Sequence, residues 1–328
     1  MTDRAALDTP LDQARGLHVV TLGTAAGPAI RSECPGIATA IVVDGRFYLV
    51  DFGLGVTRAA HAAGLRGENL MACFVTHLHS DHVAEIPAYL LWNWGRPVQG
   101  FTGPVQILGP GPADPRAGAV GIAGLVEHVL QAYSYDIDVR IVDEGRPPLY
   151  DLVQVEEIEL PASAAGADGE HTPEMDPFVV YEDEFVRVSA ILVEHPPIFP
   201  AFAFRFDTAY GSVVVSGDTT ESRNTATLAD GTDLLVHEAV NLDFYRARDF
   251  GPEFLNHQEI SHTTPAGVGR VAARAGAARV VLSHLAGVAT DAEWTAGVAA
   301  EYAGPVSVAR PGEVYAVVPA EAPATSSA

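Results

Sequence analysis

The sequence predicts an α/β protein built as two similar layers packed face to face. Three observations predict it. Short strand-like runs alternate with helical stretches in both halves of the chain. The chain has 328 residues and is 48% apolar, enough to bury a large core. Its helical stretches are short, and no run of about 18 apolar residues occurs, so no membrane span is expected.

The elements follow in order. His18–Thr24, Ala38–Asp44 and Phe47–Gly53 are β-branched or aromatic runs bounded by turn formers. Asp44-Gly45 predicts a tight hairpin turn. Val56–Gly64 reads as a short helix closed by glycine. Cys73–His77 reads as a strand running into polar residues, and His82–Trp94 has helical apolar spacing. From Asp151 to Glu184 there are eleven acidic residues and no arginine, which predicts a solvated insertion, a lid or a partner-binding arm. Strand rhythm returns at Val186–Glu194, Phe202–Asp207, Ser212–Ser216, Leu234–His237 and Val280–Ser283, with a helix at Pro265–Ala275. Residues 1–17 and 319–328 are expected to be flexible ends around one domain, 18–318, that carries the acidic insertion at about 151–184.

Charge and composition exclude several chemistries. All 19 basic residues are arginine, so lysine Schiff bases and lysine-dependent phosphate loops are ruled out. The formal charge of −23 argues against a broad nucleic-acid footprint. Cys34 and Cys73 are too few for a disulfide framework and are expected to be free thiols. The acidic N-terminus lacks the features of a signal peptide, so a cytoplasmic protein is expected.

The strongest chemical signal is Thr76-His77-Leu78-His79-Ser80-Asp81-His82. In an extended segment, residues two apart point the same way, so His77 and His79 can bind one cation together. If a helix starts next, Asp81 and His82 leave its first turn toward a second cation. Imidazole and carboxylate suit zinc, and also iron or manganese. His195, Asp218, His237 and His284 each lie at the end of a strand-like run, where catalytic groups collect.

His77-x-His79-x-Asp81-His82, followed by His195, Asp218 and His284, resembles the ordered ligand set of the metallo-β-lactamase superfamily. Asp51 matches that superfamily's aspartate beneath the metal loop. His237-Glu238-Ala239 and Ser261-His262-Thr263-Thr264 narrow the resemblance to the ribonuclease Z and arylsulfatase-like branch. The resemblance implies a four-layer αβ/βα sandwich of two mixed β-sheets with flanking helices. It implies that His77, His79 and His195 hold one metal, that Asp81, His82 and His284 hold another, and that Asp218 bridges them. Two zinc ions are implied, with Mn2+ or Fe2+ as alternatives. His262 would be a catalytic group outside the metal shell, Asp81 a second catalytic candidate, and His237 an orienting residue like Asp51.

Two departures steer the expected substrate. The resemblance implies an acid shortly before the bridging aspartate, paired to the catalytic histidine, and here that stretch is Val213-Val214-Val215. It also implies a basic arm that grips tRNA, and here the middle segment is acidic. The expectation is therefore a hydrolase using a di-zinc-bound hydroxide on a small-molecule ester: a phosphodiester, sulfate ester, carboxyl ester or lactone. Neither nucleic acid nor membrane is expected as a partner, and a homodimer is allowed. The alternatives are a ribonuclease Z-type endonuclease for tRNA precursors and a catalytically idle metal- or ligand-binding member. His257 is expected to be surface polar sequence. Trp92, Trp94 and Phe101, with Pro196–Phe202, either line an apolar cleft or pack in the core.

Overall fold

The computed structural model describes residues 10–112, 118–164 and 172–318. Residues 1–9 and 319–328, and residues 165–171 of the acidic stretch, lie outside the described residues. Of the end expected to be flexible over 1–17, the part from residue 10 is packed, with Leu11, Ala14 and Leu17 buried and Leu17 opening the first strand.

The first half builds β1 (Leu17–Gly23), β2 (Ala38–Val43), β3 (Arg46–Val50), β4 (Leu70–Phe74), β5 (Val105–Pro110) and β6 (Val153–Ile158). The second builds β7 (Phe178–Glu182), β8 (Val186–Leu192), β9 (Phe202–Thr208), β10 (Gly211–Val215), β11 (Leu234–Val240), β12 (Val280–Ala286), β13 (Val306–Val308) and β14 (Glu313–Val317). Between them run α1 (Val56–Ala62), α2 (Ser80–Val83), α3 (Ile86–Trp92), α4 (Ile122–Ala132), α5 (Ser134–Asp143) and α6 (Leu149–Leu152). They continue as α7 (Arg223–Leu228), α8 (Leu242–Arg246), α9 (Pro252–Ser261), α10 (Pro265–Ala275) and α11 (Asp291–Ala299).

The strands form two seven-stranded sheets, ordered β14-β1-β2-β3-β4-β5-β6 and β13-β12-β11-β10-β9-β8-β7. Each is mixed: β3 to β6 and β10 to β13 pair in parallel, and the remaining neighbours pair antiparallel. The sheets meet face to face. Val19, Ile41, Tyr48 and Phe74 of the first pack with Val188, Phe204, Phe206 and Val213 of the second. Phe74 sits edge-on to Phe206, with ring centroids 5.3 Å apart. The alternate residues of the first sheet, such as Val20, Val42 and Cys73, face the helix layer instead. Strand period two thus supplies both interfaces of the four-layer sandwich.

Some expected boundaries move. The helix expected over His82–Trp94 is two, α2 and α3, with Ala84 and Glu85 between them. The strand expected over Cys73–His77 starts earlier, at Leu70, and its ladder stops at Phe74. The acidic stretch is not wholly an insertion. It supplies β6 and β7, the outer strand at one end of each sheet, where charged side chains reach solvent without entering the core. Cys73 is buried and Cys34 half-buried, both free. Among the described residues, no helix is long and apolar enough to cross a membrane.

Candidate metal centre

Loops and strand ends from both sheets converge at one edge of the sandwich. The first sheet delivers residues 76–82 just beyond β4. Asp51, just beyond β3, holds this loop from beneath: its Oδ1 accepts from Thr76 N at 2.8 Å, and its Oδ2 accepts from Thr76 Oγ1 at 2.8 Å. The same Oδ2 lies 2.8 Å from His82 Nδ1. A carboxylate on one ring nitrogen turns the other toward a metal position. Asp51 has φ 64°, a left-handed conformation that aspartate tolerates better than most residues.

The second sheet delivers single residues. His195 follows β8, and its Nδ1 reaches Ser261 O at 2.8 Å. Asp218 follows β10 past Gly217, whose φ of 59° leaves no room for a Cβ against Phe202 O. His284 lies inside β12. There β11 pairs Glu238 with Ser283 and Ala239 with Leu285, leaving His284 as the extra residue of a bulge. Its φ of 44° is unusual for a non-glycine residue, and the bulge re-aims its ring into the site.

The donor atoms form two adjoining sets. His77 Nε2 and His195 Nε2 lie 2.9 Å and 3.2 Å from His79 Nδ1, and both stand within 4.0 Å of Asp218 Oδ2. On the other side, His82 Nε2 and His284 Nε2 lie 3.4 Å and 3.3 Å from the same Asp218 oxygen. Asp81 Oδ2 completes this set at 3.8 Å from His82 and 3.5 Å from His284. It is steadied by Gly27 N at 2.9 Å. A tetrahedron with metal–ligand distances of about 2.0–2.1 Å has edges of about 3.3 Å, so these separations fit metal coordination. His82 Nε2 is also buried with no hydrogen-bond partner in the protein.

The titration behaviour agrees. Burial lowers His77 well below the ordinary histidine value and lowers His195 to about 3, keeping both imidazoles neutral as metal ligation requires. His82 moves the other way: burial opposes its charge, but Asp218 and Asp51 outweigh it and raise its pKa. A metal cation there answers the same carboxylates that a proton otherwise would.

His262 is outside the two groups above, although one of its ring nitrogens also lies within 4.8 Å of donor atoms of Asp218 and His284. Its ring centroid is 5.1 Å from that of His195 and 5.9 Å from that of His284. Its Nδ1 is 3.0 Å from Glu238 Oε1. Burial alone would lower its pKa, but the Glu238 carboxylate raises it to about 9. Glu238 is the acid whose absence before Asp218 had looked like a departure. Its Oε1 also accepts from Thr219 N at 3.1 Å and Thr263 N at 3.2 Å, tying the Asp218 loop to the His262 loop. The signal was present in His237-Glu238-Ala239, but which acid meets His262 is a tertiary fact.

His237 is buried and its Nδ1 lies 2.8 Å from the Glu238 carbonyl, so its contact is with the backbone of that strand. With Thr39, Ser283 and His284 it lines a cavity of about 20 Å³ behind the donors. That space can hold one water with several polar partners.

A larger cavity, about 620 Å³, opens outward from the donors. Arg31 is the arginine on its wall, donating from Nη2 to Leu285 O at 2.8 Å and Gly287 O at 3.2 Å. Its apolar wall is Phe244, Tyr245, Phe250 and Phe254. Trp94 and Phe101 are instead buried in the core, and Trp92 is exposed outside this cavity. His257 is corrected too. It is half-buried and lines the cavity, with its ring 6.3 Å from that of His79. It and the aromatic wall share the helical hairpin α8–α9, whose fold no local pattern announced.

The sequence model of the metallo-beta-lactamase superfamily matches residues 31–95. Ribonuclease Z of Mycolicibacterium gilvum (strain PYR-GCK) is 31% identical over 276 residues, covering 82% of this chain and 84% of that protein. The chain belongs to the ribonuclease Z branch of the metallo-β-lactamase superfamily. Ribonuclease Z of Mycobacterium bovis (strain BCG / Pasteur 1173P2) is 29% identical, covering 89% of this chain and 95% of that one. Human tRNase Z, short form, shares the fold with a TM-score of 0.62 and 20% identity, over 92% of this chain and 99% of that one. The ribonuclease Z membership makes the chain a metallo-hydrolase of ester bonds, so the idle-protein alternative falls. It also overturns the expectation of a small-molecule ester with nucleic acid not expected as a partner, because the relatives are ribonucleases by name. That expectation rested on the acid missing before Asp218, on the acidic middle segment in place of a basic arm, and on charge summed over the whole chain. A substrate's phosphate meets the local field at the donors and Arg31, which a net charge of −23 does not describe.

Proposed function

We propose that this protein is a ribonuclease Z-type endonuclease that cleaves tRNA precursors on their 3′ side, using two zinc ions. The observation that carries the reading is the His262–Glu238 pair set against two donor groups that both approach Asp218 Oδ2. The ribonuclease Z relatives support the choice of RNA as the ester cleaved.

His77, His79 and His195 would hold one ion and Asp81, His82 and His284 the other, with Asp218 between them. When bound, such ions supply Lewis acidity toward a phosphodiester oxygen and lower the pKa of water from about 16 to about 7. The protein's own groups do the rest. Asp51 orients His82, and the Ser261 carbonyl orients His195. Glu238 keeps His262 protonated near neutral pH, so His262 can donate a proton to the leaving ribose oxygen. Arg31 offers a fixed guanidinium to the phosphate backbone entering the cavity.

The test is a pre-tRNA carrying a 3′ trailer, given to zinc-loaded and metal-depleted protein. One site-specific cut by the loaded form alone is expected. No cut in any of several pre-tRNAs, with a chromogenic phosphodiester still hydrolysed, would defeat the choice of substrate.

A further inference from the structure

The hairpin α8–α9 spends its aromatic residues in an unusual way. Phe244, Tyr245, Phe250 and Phe254 join neither of the two large cores. Only Tyr245 packs on a small cluster formed by Ala26, Val240 and Ala286. Phe250 and Phe254 lie nearly parallel, with centroids 4.9 Å apart and planes at 23°, and Tyr245 meets both edge-on at 5.3 Å. Each of the two phenylalanines is 37% exposed, and both line the cavity that ends at the metal donors.

The same helix links this wall to the donors. Phe254, His257 and Ser261 are spaced three and four apart, so they share one face of α9. His257 lies three residues, about 4.5 Å of helix rise, from Phe254, and its ring is 5.6 Å from that of His262. The aromatic wall therefore starts about one helical turn from His257, whose ring stands beside that of His262, and both line the same cavity. Flat apolar rings beside a phosphodiester site match a nucleobase, which has a π-face whatever its sequence. The 3′ end of a tRNA precursor is unpaired there, so its bases are free to leave their neighbours.

We propose that Phe250 and Phe254, backed by Tyr245, form a stacking platform for an unpaired nucleobase next to the scissile phosphodiester. The proposal rests on the tRNA-processing reading above. It makes these two rings determinants of substrate affinity that take no part in proton transfer or metal binding.

The experiment uses zinc-loaded full-length protein and pre-tRNAs with an abasic nucleotide on the 5′ or the 3′ side of the cut. Wild type is compared with Phe250→Ala/Phe254→Ala, with Phe250→Leu/Phe254→Leu and with Phe254→Trp, after circular dichroism and metal content confirm intact folding. Wild type should lose about 5- to 150-fold in kcat/KM when the base is removed at one of the two positions. The Ala and Leu variants should show that loss on intact RNA and no further loss on the abasic RNA. Phe254→Trp should retain the dependence on the base. Variants that keep the wild-type dependence at both positions would overturn the platform. So would equal losses on both RNAs, or a fall in molecular mass in solution, which would make the rings a contact between two copies. A wild type that cuts no pre-tRNA would instead defeat the functional reading, before any variant is compared.

Discussion

The two sheets contribute to the site in different ways. The first sheet supplies four donors from one run of six residues, His77 to His82, held by a single aspartate below. The second supplies three donors that are far apart in sequence, His195, Asp218 and His284, and each arrives on a different strand. The first set is a local device that a loop can carry by itself. The second exists only because β8, β10 and β12 run the same way in one sheet, β8 related to β10 across antiparallel β9 and β10 to β12 through parallel β11, so that their ends reach the same edge. Asp218 is where the two meet, since its Oδ2 lies within 4.0 Å of donors from both sheets.

The sharpest way to break that meeting point is Asp218→Ala. Both metal positions should weaken, and hydrolysis should fall to the metal-free background, with bound zinc measured by elemental analysis. Full loading of two ions in that variant would remove Asp218 from between the sets. His262→Ala tests the second sheet's other contribution. Zinc content should stay at the wild-type level while turnover drops roughly 10²–10⁴-fold, the scale of a general acid. The drop should shrink for leaving groups that need no proton, and a variant that loses its metals would make His262 a ligand.

Asp51→Asn probes the first sheet's support. Its amide cannot accept as strongly from both Thr76 and His82, so affinity for one zinc should fall about 10–100-fold. Titration with a competing chelator reads this directly, and unchanged affinity would mean the loop holds itself. The smallest expected effect is a pH shift. His262 is raised to about 9 by Glu238, so its proton is present below that value and lost as pH rises through it. The alkaline limb of kcat/KM should therefore lie above the ordinary histidine range, and Glu238→Gln should move it to lower pH. A limb that stays in place would assign it to another group.

Legibility tracked this same division. The run 77–82 stood out because all its information is within six positions, and α10 was legible as Pro265–Ala275, which the structure bounds with a capping Thr264 and a left-handed Gly276. Glu238 was misjudged because the acid that meets His262 was sought by sequence distance from Asp218. In the fold it comes from the neighbouring strand β11. The wall formed by Phe250 and Phe254 was missed for a related reason. Aromatic residues in sequence do not say whether they face a core or a cavity, and Trp94 and Phe101 took the core.

The sequence by itself determined the fold class, the superfamily and the identity of the candidate metal donors. Strand periodicity and a compact histidine motif are short-range signals, and short-range signals survive without coordinates. Tertiary structure alone decided how the groups meet. The bulge that turns His284 inward at φ 44° is set by a mismatch of one residue between β11 and β12. The pairing of His262 with Glu238 is set by the packing of two loops. Local charge at the cavity is likewise a matter of where Arg31 lies, since the field falls off with distance and a sum over the chain carries no distances.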